Sequence, residues 1–224
     1  MNQNLDLVIF DCDGVLVDSE VLAVEVDRRI LAEFGWKLST EEIVDAFLGT
    51  SSDTFRAKLE EHLGYRLADD WEEPYHSWYH DAFDRELQPV AGITQALDRI
   101  TLPTCVASSG SHTKMRKTLG LTGLAARFEG RIYSATEVSR GKPAPDLFLH
   151  AASAQGADPS RCAVVEDSQY GVQAARAAGM TALGYAGGLT PAQWLIDAGA
   201  TVFSSMDELP DLIASLGRKN PSVG

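Results

Sequence analysis

Acidic residues at short, regular spacing are the first feature of this sequence that could carry out chemistry. Asp11 and Asp13 stand two residues apart after an apolar run, and Gly14 follows them. On an extended segment, side chains at positions i and i+2 leave the backbone on the same side, so the two carboxylates converge on one point. Gly14 lets the chain turn away sharply. Like charges held this close require a cation, although a simple Asp- and Gly-rich turn is the alternative interpretation.

A second acidic pair, Glu166 and Asp167, ends another apolar run and precedes a helical pattern. Burying such a pair is costly unless a cation neutralises it. Together with Asp11 and Asp13, the pair supplies oxygen ligands of the kind that Mg²⁺ takes. Taken alone, Asp167 or Ser168 could instead cap the helix that follows.

Hydroxyls and a lysine lie between the two acidic pairs and could hold an anion. Ser108 and Ser109 precede Gly110 and a helix, where a hydroxyl and a backbone N–H could grip a phosphoryl oxygen. Lys142 stands in a Gly-Lys-Pro turn, whose proline fixes the backbone, so its ammonium group could supply positive charge. A serine-rich helix cap and an ordinary surface lysine are the alternative interpretations.

Short apolar runs alternating with helical patterns must position these residues. Continuous apolar strands of this kind predict a parallel sheet covered on both faces, a doubly wound α/β fold. In such sheets, ligands bind at the carboxyl ends of the strands, where the polar residues above stand. The predicted strands are 5–10, 103–108, 131–134, 161–166, 181–185 and 200–203. The predicted helices that alternate with them are 114–119, 146–155, 168–178, 191–198 and 206–216.

The stretch from Val21 to Glu86 breaks this alternation, because it contains amphipathic helical segments and no good strand. It is longer than a normal crossover, so it predicts an inserted all-α helical cap. The predicted organisation is therefore an α/β core domain over residues 1–18 and 87–224 and a cap domain over residues 19–86. The predicted cap helices are 21–34, 40–47, 52–62 and 73–83.

The charge balance limits the classes of partner. With 19 Lys+Arg against 32 Asp+Glu, the formal net charge is −13, so the average surface repels phosphate polyanions and anionic lipid headgroups. We therefore expect no nucleic acid and no membrane as partners, while a small anionic metabolite could bind where a cation locally reverses the field. Cysteine usage indicates a reducing compartment. With neither a secretory signal nor a long apolar run, we expect a cytoplasmic protein, as a monomer or weak dimer.

Together, these segments resemble the haloacid dehalogenase superfamily, and within it the phosphatase-like branch with a helical cap inserted after the first motif. The matching segments are DCDGVLVDSE at 11–20, VASSG at 106–110, GKPAPD at 141–146 and VVEDSQYGVQAARAAGM at 164–180. The stretches FDRELQPVAG and SSGSHTKM are most similar to sugar-phosphate phosphatases, including those of 6-phosphogluconate. The resemblance implies a Rossmann-like core and a Mg²⁺-dependent phosphatase acting on a small phosphorylated metabolite, such as a sugar phosphate or a phosphorylated sugar acid.

The resemblance also implies a role for each matching residue. Asp11 would be the nucleophile that forms an aspartyl-phosphate, and Asp13 the general acid for the leaving oxygen and then the base for water. The hydroxyl of Ser108 and the ammonium of Lys142 would hold the phosphoryl oxygens, with Ser109 beside them. The metal ligands would be the Asp11 carboxylate, the Asp13 main-chain carbonyl and Asp167, with Glu166 as a further ligand or a group behind them.

Cap residues that face the crevice should select the substrate, because the core recognises only phosphate and metal. The cap aromatic residues Trp71, Tyr75 and Trp78 are interpreted as cap core rather than a sugar-stacking platform. The candidates for substrate contact are Glu20, Thr50, Ser51, Ser52 and Arg56 in the cap, with His112 and Lys114 in the core.

Two alternative functions stay open. A β-phosphoglucomutase-like phosphosugar mutase has nearly the same motifs, but it carries a histidine and a cap arginine where this chain has Ala23 and Ser52. A non-catalytic metabolite-binding module on the same fold is the second alternative. It would have no need for a nucleophile and an acid together, as Asp11 and Asp13 would provide.

Overall fold

The structure is a computed structural model that describes residues 5–50 and 52–216. The candidate residue Ser51 and the short polar sequence after Gly217 lie outside the described residues. The chain divides into two compact units. One holds the N-terminal segment as far as Asp18 and the chain from Gln88 onward, and the other spans Ser19–Leu87.

A parallel sheet forms the centre of the first unit. Among the described residues it has six strands, in the order β3-β2-β1-β4-β5-β6. This confirms the predicted doubly wound arrangement, because the order runs outward in both directions from β1 and every neighbouring pair is parallel. The strands are β1 Leu7–Phe10, β2 Thr104–Ser108, β3 Ile132–Ser134, β4 Cys162–Glu166, β5 Thr181–Tyr185 and β6 Thr201–Phe203.

Helices cover both faces of the sheet, which is why the central strands are mostly apolar up to their carboxyl ends. Leu7 and Ile9 of β1 pack into one apolar cluster with side chains of the helices on that face, such as Phe148. Phe10 points to the opposite face, where its ring contacts Phe128 at a centroid distance of 6.4 Å. The α-helices of this unit are α5 Ile93–Arg99, α6 His112–Leu121, α7 Asp146–Ala154, α8 Gln169–Ala177, α9 Ala192–Asp197 and α10 Leu209–Leu216.

Strand register brings the ends of β1, β2 and β4 to one edge of the sheet. Phe10 pairs with Val106 on one side and with Val165 on the other. The residues that follow these positions therefore leave the sheet side by side, as expected for parallel strands.

The second unit is helical throughout its described residues, and its helices follow the predicted ones closely. The polar residue Ser39 begins α2: its hydroxyl accepts the N–H of Glu42, whose carboxylate accepts the N–H of Ser39. Such a capping box satisfies two backbone donors at the helix start. The helices are α1 Ser19–Glu33, α2 Thr40–Phe47, α3 Ser52–Leu63 and α4 Glu73–Glu86.

Helix α5 was not among the predicted elements. Gly92 precedes it with a left-handed φ of 81°, and no side chain caps its first turn. The polar start signal by which helices are recognised in a sequence is therefore missing here. Across the residues that the structure describes, no helix has the length and apolar character needed to cross a membrane.

Candidate active site

Asp11 lies directly after β1, at the edge where the strands end. Its backbone N–H donates to the Val165 carbonyl at 2.9 Å, which continues the ladder to β4 and fixes where the side chain leaves the backbone. The residue is 7% exposed. Burial raises the pKa of the Asp11 carboxyl, while the Lys142 ammonium opposes this shift and Glu166 reinforces it.

Lys142 joins two acidic groups in the same buried space. Its Nζ donates to Asp11 Oδ1 at 2.6 Å and to Glu166 Oε1 at 2.5 Å, and it lies 4.9 Å from the centre of the Phe148 ring. Burial disfavours the charge on Lys142, but the two carboxylates outweigh burial and raise the pKa of the ammonium group. Lys142 is therefore a charged, fixed lysine, unlike the solvated surface lysine that was the alternative interpretation.

Glu166 is held from two directions. Its Oε1 accepts from Lys142, and its Oε2 accepts the N–H of Ser168 at 2.9 Å and the Ser168 hydroxyl at 2.8 Å. The Ser168 hydroxyl also accepts the Gly171 N–H and so caps α8, as the sequence allowed. The rigid first turn of α8 thus fixes the glutamate carboxylate.

Asp11, Glu166 and Asp167 form the acidic cluster of this edge. Each offers a carboxylate oxygen, these oxygens lie within 4.8 Å of one another, and all three residues are buried. Three carboxylates with one ammonium leave a formal charge of −2. The donor set therefore fits a divalent cation that prefers oxygen ligands.

Two glycines let these carboxylates approach the backbone. At Gly14, which has a φ of +73°, an added Cβ would lie 1.9 Å from Asp167 Oδ2. At Gly171, an added Cβ would lie 1.8 Å from Glu166 Oε1. The sequence predicts the sharp turn at Gly14, but neither contact could be read from it, because each joins segments that meet only in the fold.

Asp13 lies beside the cluster and pairs with a lysine from α6. Lys114 Nζ is 2.8 Å from Asp13 Oδ2. Burial works against the charge of Lys114, but Asp13 outweighs it and raises the pKa of Lys114. The sequence singled out Lys114 as a substrate-contact candidate, and the structure places its ammonium group on the predicted general acid.

The loop after β2 carries the predicted hydroxyl groups. Ser108 is buried and its hydroxyl accepts the Gly110 N–H at 3.1 Å, whereas Ser109 is exposed. Ser134, which pairs with Ser108 across β2 and β3, donates its hydroxyl to the Gly110 carbonyl at 2.7 Å. Ser134 was not among the predicted site residues, since a serine at a strand end carries no signal of its own.

Two histidine side chains contact the carboxylate of Glu137 beside this loop. His112 Nε2 lies 3.0 Å from one carboxylate oxygen and His150 Nε2 lies 3.7 Å from the other. The Ser134 N–H holds the pKa of Glu137 below its usual range. The candidate His112 is thus engaged by a carboxylate that the sequence did not single out.

The remaining candidates belong to the helical unit. Glu20 lies in the first turn of α1, and Ser52 is the first residue of α3. Arg56 binds within its own unit, donating to Glu60 at 3.0 Å and to the Leu67 carbonyl at 2.7 Å. A substrate contact by Glu20 or Ser52 stays a prediction.

Comparison with known proteins identifies the family. Residues 8–185 match the haloacid dehalogenase-like hydrolase family. The chain is 31% identical over 214 residues to 6-phosphogluconate phosphatase of Escherichia coli, covering 95% of this chain and 96% of that protein.

Solved structures show the same fold. A haloacid dehalogenase-like protein from Agrobacterium tumefaciens has a TM-score of 0.90 at 39% identity, covering 96% of this chain and 100% of that one. A family hydrolase from Deinococcus radiodurans, solved with phosphate and sodium, has a TM-score of 0.84 at 32% identity, covering 96% and 97%. The chain therefore belongs to the haloacid dehalogenase-like hydrolase family.

Proposed function

We propose that this protein hydrolyses a sugar phosphate or a phosphorylated sugar acid by transferring the phosphoryl group to Asp11. The protein is a phosphatase of the haloacid dehalogenase-like family, and several of its relatives are phosphatases. The observation that carries the proposal is the position of Asp11. Its buried carboxylate ends β1 within reach of a fixed lysine and two further carboxylates.

Attack by a carboxylate on a phosphate dianion is electrostatically opposed, so the site must supply positive charge. Lys142 provides one charge at 2.6 Å from Asp11 and in a water-poor space, where charges act strongly. A divalent cation, Mg²⁺ by its preference for oxygen ligands, would be held by Asp11, Asp167 and the Asp13 carbonyl, with Glu166 as a further ligand or behind them. When bound, it would neutralise charge on the phosphoryl oxygens.

Asp11 attacks phosphorus in line while the leaving oxygen departs from the opposite side, and the product is an aspartyl-phosphate. Asp13 supplies the proton to the leaving oxygen and then takes one from the attacking water. The Lys114 ammonium group lies 2.8 Å from Asp13 Oδ2 and holds this side chain in place.

The buried hydroxyl of Ser108 and the N–H groups of the loop after β2 are proposed to bind the phosphoryl oxygens, with Ser109 beside them. The substrate class rests on the relatives, because the Escherichia coli protein is named a 6-phosphogluconate phosphatase and the Deinococcus radiodurans structure holds phosphate. Glu20 and Ser52 are proposed to contact the sugar portion. The cytoplasmic location and the monomeric or weakly dimeric state also stay predictions.

Replacing Asp11 by asparagine tests the nucleophile. Asp11→Asn keeps the shape of the side chain but removes its nucleophilic charge, so hydrolysis of p-nitrophenyl phosphate with Mg²⁺ should fall at least ~10³-fold. The matched control is Asp197→Asn, an exposed aspartate on α9, which should retain full activity. Both variants should give the circular dichroism spectrum of the parent. Undiminished hydrolysis by Asp11→Asn contradicts the assignment.

A substrate screen tests the chemical class. Hexose, pentose, aldonate and glycolate phosphates are supplied with and without Mg²⁺, and released inorganic phosphate is measured. We expect the highest kcat/KM for a sugar or aldonate phosphate, and only with metal. Interconversion of glucose phosphates without release of phosphate would establish the mutase alternative instead.

A further inference from the structure

The helical unit holds a partly open cavity of about 160 Å³. Ser52, proposed above to contact the sugar, lies at its lining, but the aromatic and acidic residues that line the rest have no role in the proposed phosphatase reaction. Four aromatic rings form a continuous wall along the cavity. Phe47 and Phe55 have centroids 4.7 Å apart, Phe55 stacks on Trp71 at 5.9 Å, and Trp71 lies 6.4 Å from Tyr75. Trp71 and Tyr75 were interpreted from the sequence as cap core, but a close-packed core leaves few voids larger than a water molecule. This cavity is as large as those that hold benzene, ~150 Å³.

The carboxylate of Asp27 faces this aromatic wall, and no basic side chain among residues 5–50 and 52–216 forms an ion pair with it. Asp27 of α1 lines the cavity and accepts the Tyr79 hydroxyl at 2.5 Å. Burial raises the pKa of Asp27 to about 6, and the Tyr79 hydrogen bond offsets only part of that shift. Glu72 also lines the cavity, 3.8 Å from His76.

The basic side chains near this wall lie outside the cavity lining. Among the described residues that line the cavity, none is lysine or arginine. The Arg29 guanidinium lies 4.4 Å from the centre of the Trp78 ring. Lys58 Nζ lies 5.5 Å from the centre of the Phe47 ring, at one end of the wall, and donates to the Ala46 carbonyl at 2.5 Å. The cavity therefore combines aromatic faces, which attract cations, with a carboxylate that desolvation penalises for lack of a counter-charge.

We propose that this cavity binds a small organic ammonium cation of the size of tetramethylammonium or choline. The aromatic faces of Trp71 and Tyr75 and the carboxylate of Asp27 would surround the charge. An anion would meet two carboxylates, and a neutral apolar molecule would leave Asp27 without a counter-charge. The proposal concerns the helical unit alone, so it does not depend on the chemistry at Asp11.

Isothermal titration of the full chain with choline chloride tests this site, at constant ionic strength maintained with NaCl. The neutral isostere 3,3-dimethylbutan-1-ol serves as the uncharged probe. We expect saturable binding of choline, with a Kd at least tenfold lower than that of the alcohol. Absence of saturable choline binding, or equal binding of the two molecules, overturns the proposal without reference to any variant.

Variants then locate the site. Asp27→Asn keeps an acceptor for Tyr79 but removes the charge, so choline should bind at least tenfold more weakly. Asp45→Asn removes the same charge from an exposed position of α2 outside the cavity and should leave the Kd unchanged. Trp71→Leu should weaken binding while retaining Asp27.

Circular dichroism checks the helical content of each variant. Unchanged choline affinity in folded Asp27→Asn overturns the assignment. Phosphatase activity is measured in parallel, so a failed phosphatase assay and a failed cation titration stay distinguishable.

Discussion

Three charged side chains at the strand edge depend on one another. The Lys142 ammonium lies between Asp11 and Glu166, and Lys142 and Glu166 side chains are only 7% and 1% exposed. Removing such charges from water is expensive, and the arrangement is tolerable only because every partner is present with good geometry. The same mutual dependence suits the proposed role of Asp11 as nucleophile, since its carboxyl group is held in a water-poor space beside a fixed positive charge.

Removing Lys142 should therefore destabilise the protein in a pH-dependent manner. In Lys142→Ala, Asp11 and Glu166 lose their counter-charge, and we expect the free energy of unfolding at pH 8 to fall by ~3–5 kcal/mol. Without the lysine, the pKa of Asp11 should rise further above its unfolded value, because burial and Glu166 then act unopposed. A carboxyl with a raised folded-state pKa contributes stability that is present at low pH and is lost as pH rises through that pKa. The loss should consequently be smaller at pH 5.

Urea unfolding at the two pH values measures this difference. Arg116→Ala, which removes an exposed cation from α6, is the control and should change the free energy of unfolding by less than ~0.5 kcal/mol. A loss in Lys142→Ala that is equal at pH 5 and pH 8 would show that lost packing, rather than unpaired charge, is the cause.

The ends of the strands and helices, rather than their middles, position the residues of the site. Strands β1, β2 and β4 end at the same edge, and the first turn of α8 both caps itself with Ser168 and fixes Glu166. Gly171 lies within this turn, where alanine would normally favour the helix, but Glu166 occupies the space that a Cβ would need. The glycine is thus explained by the site rather than by the helix.

A pair of Gly→Ala substitutions separates these two effects. Gly120 of α6 has nothing within 4 Å of an added Cβ, so Gly120→Ala should stabilise the protein by ~0.5–1 kcal/mol. Gly171→Ala should instead destabilise it by ~1–3 kcal/mol and reduce kcat, because Glu166 must move. Thermal unfolding and phosphatase assays of both variants measure this contrast. Equal stabilisation by the two substitutions would mean that Glu166 is not held as described.

Sequence patterns predicted the elements better than the contacts between them. All six strands were predicted, because apolar runs buried on both faces are distinctive, and the gathering of Asp11, Glu166 and Asp167 follows from the rule that parallel strands end together. The contact of Lys114 with Asp13 joins positions 101 residues apart, and no local pattern encodes it. Helix α5 was missed for the local reason that a glycine, and not a polar cap, begins it.

The whole molecule carries a formal charge of −13, yet its proposed substrate is an anion. The acidic cluster adds local negative charge, because three carboxylates lie together and Lys142 binds two of them, Asp11 and Glu166. A bound divalent cation would resolve the local excess and couple metal binding to folding, since the assembled donor set exists only in the folded chain. Stability and activity should therefore respond to the same metal.

Mg²⁺ should raise the midpoint of thermal unfolding, and EDTA should abolish both this gain and the phosphatase activity. At a concentration 100-fold above Kd, a ligand of the folded state adds about 2.7 kcal/mol to the free energy of unfolding. Asp167→Asn should require more Mg²⁺ for both effects, whereas NaCl at matched ionic strength should reproduce neither. Full activity after exhaustive chelation would contradict the proposed metal requirement.

The stereochemical course at phosphorus tests most directly whether the phosphoryl group passes through Asp11. An aryl phosphorothioate made chiral with ¹⁸O is hydrolysed in water enriched in ¹⁷O, and the configuration of the thiophosphate product is determined. Two successive in-line displacements, first by Asp11 and then by water, each invert the centre, so we predict net retention of configuration. Net inversion would indicate a single direct attack by water and would contradict the covalent role of Asp11.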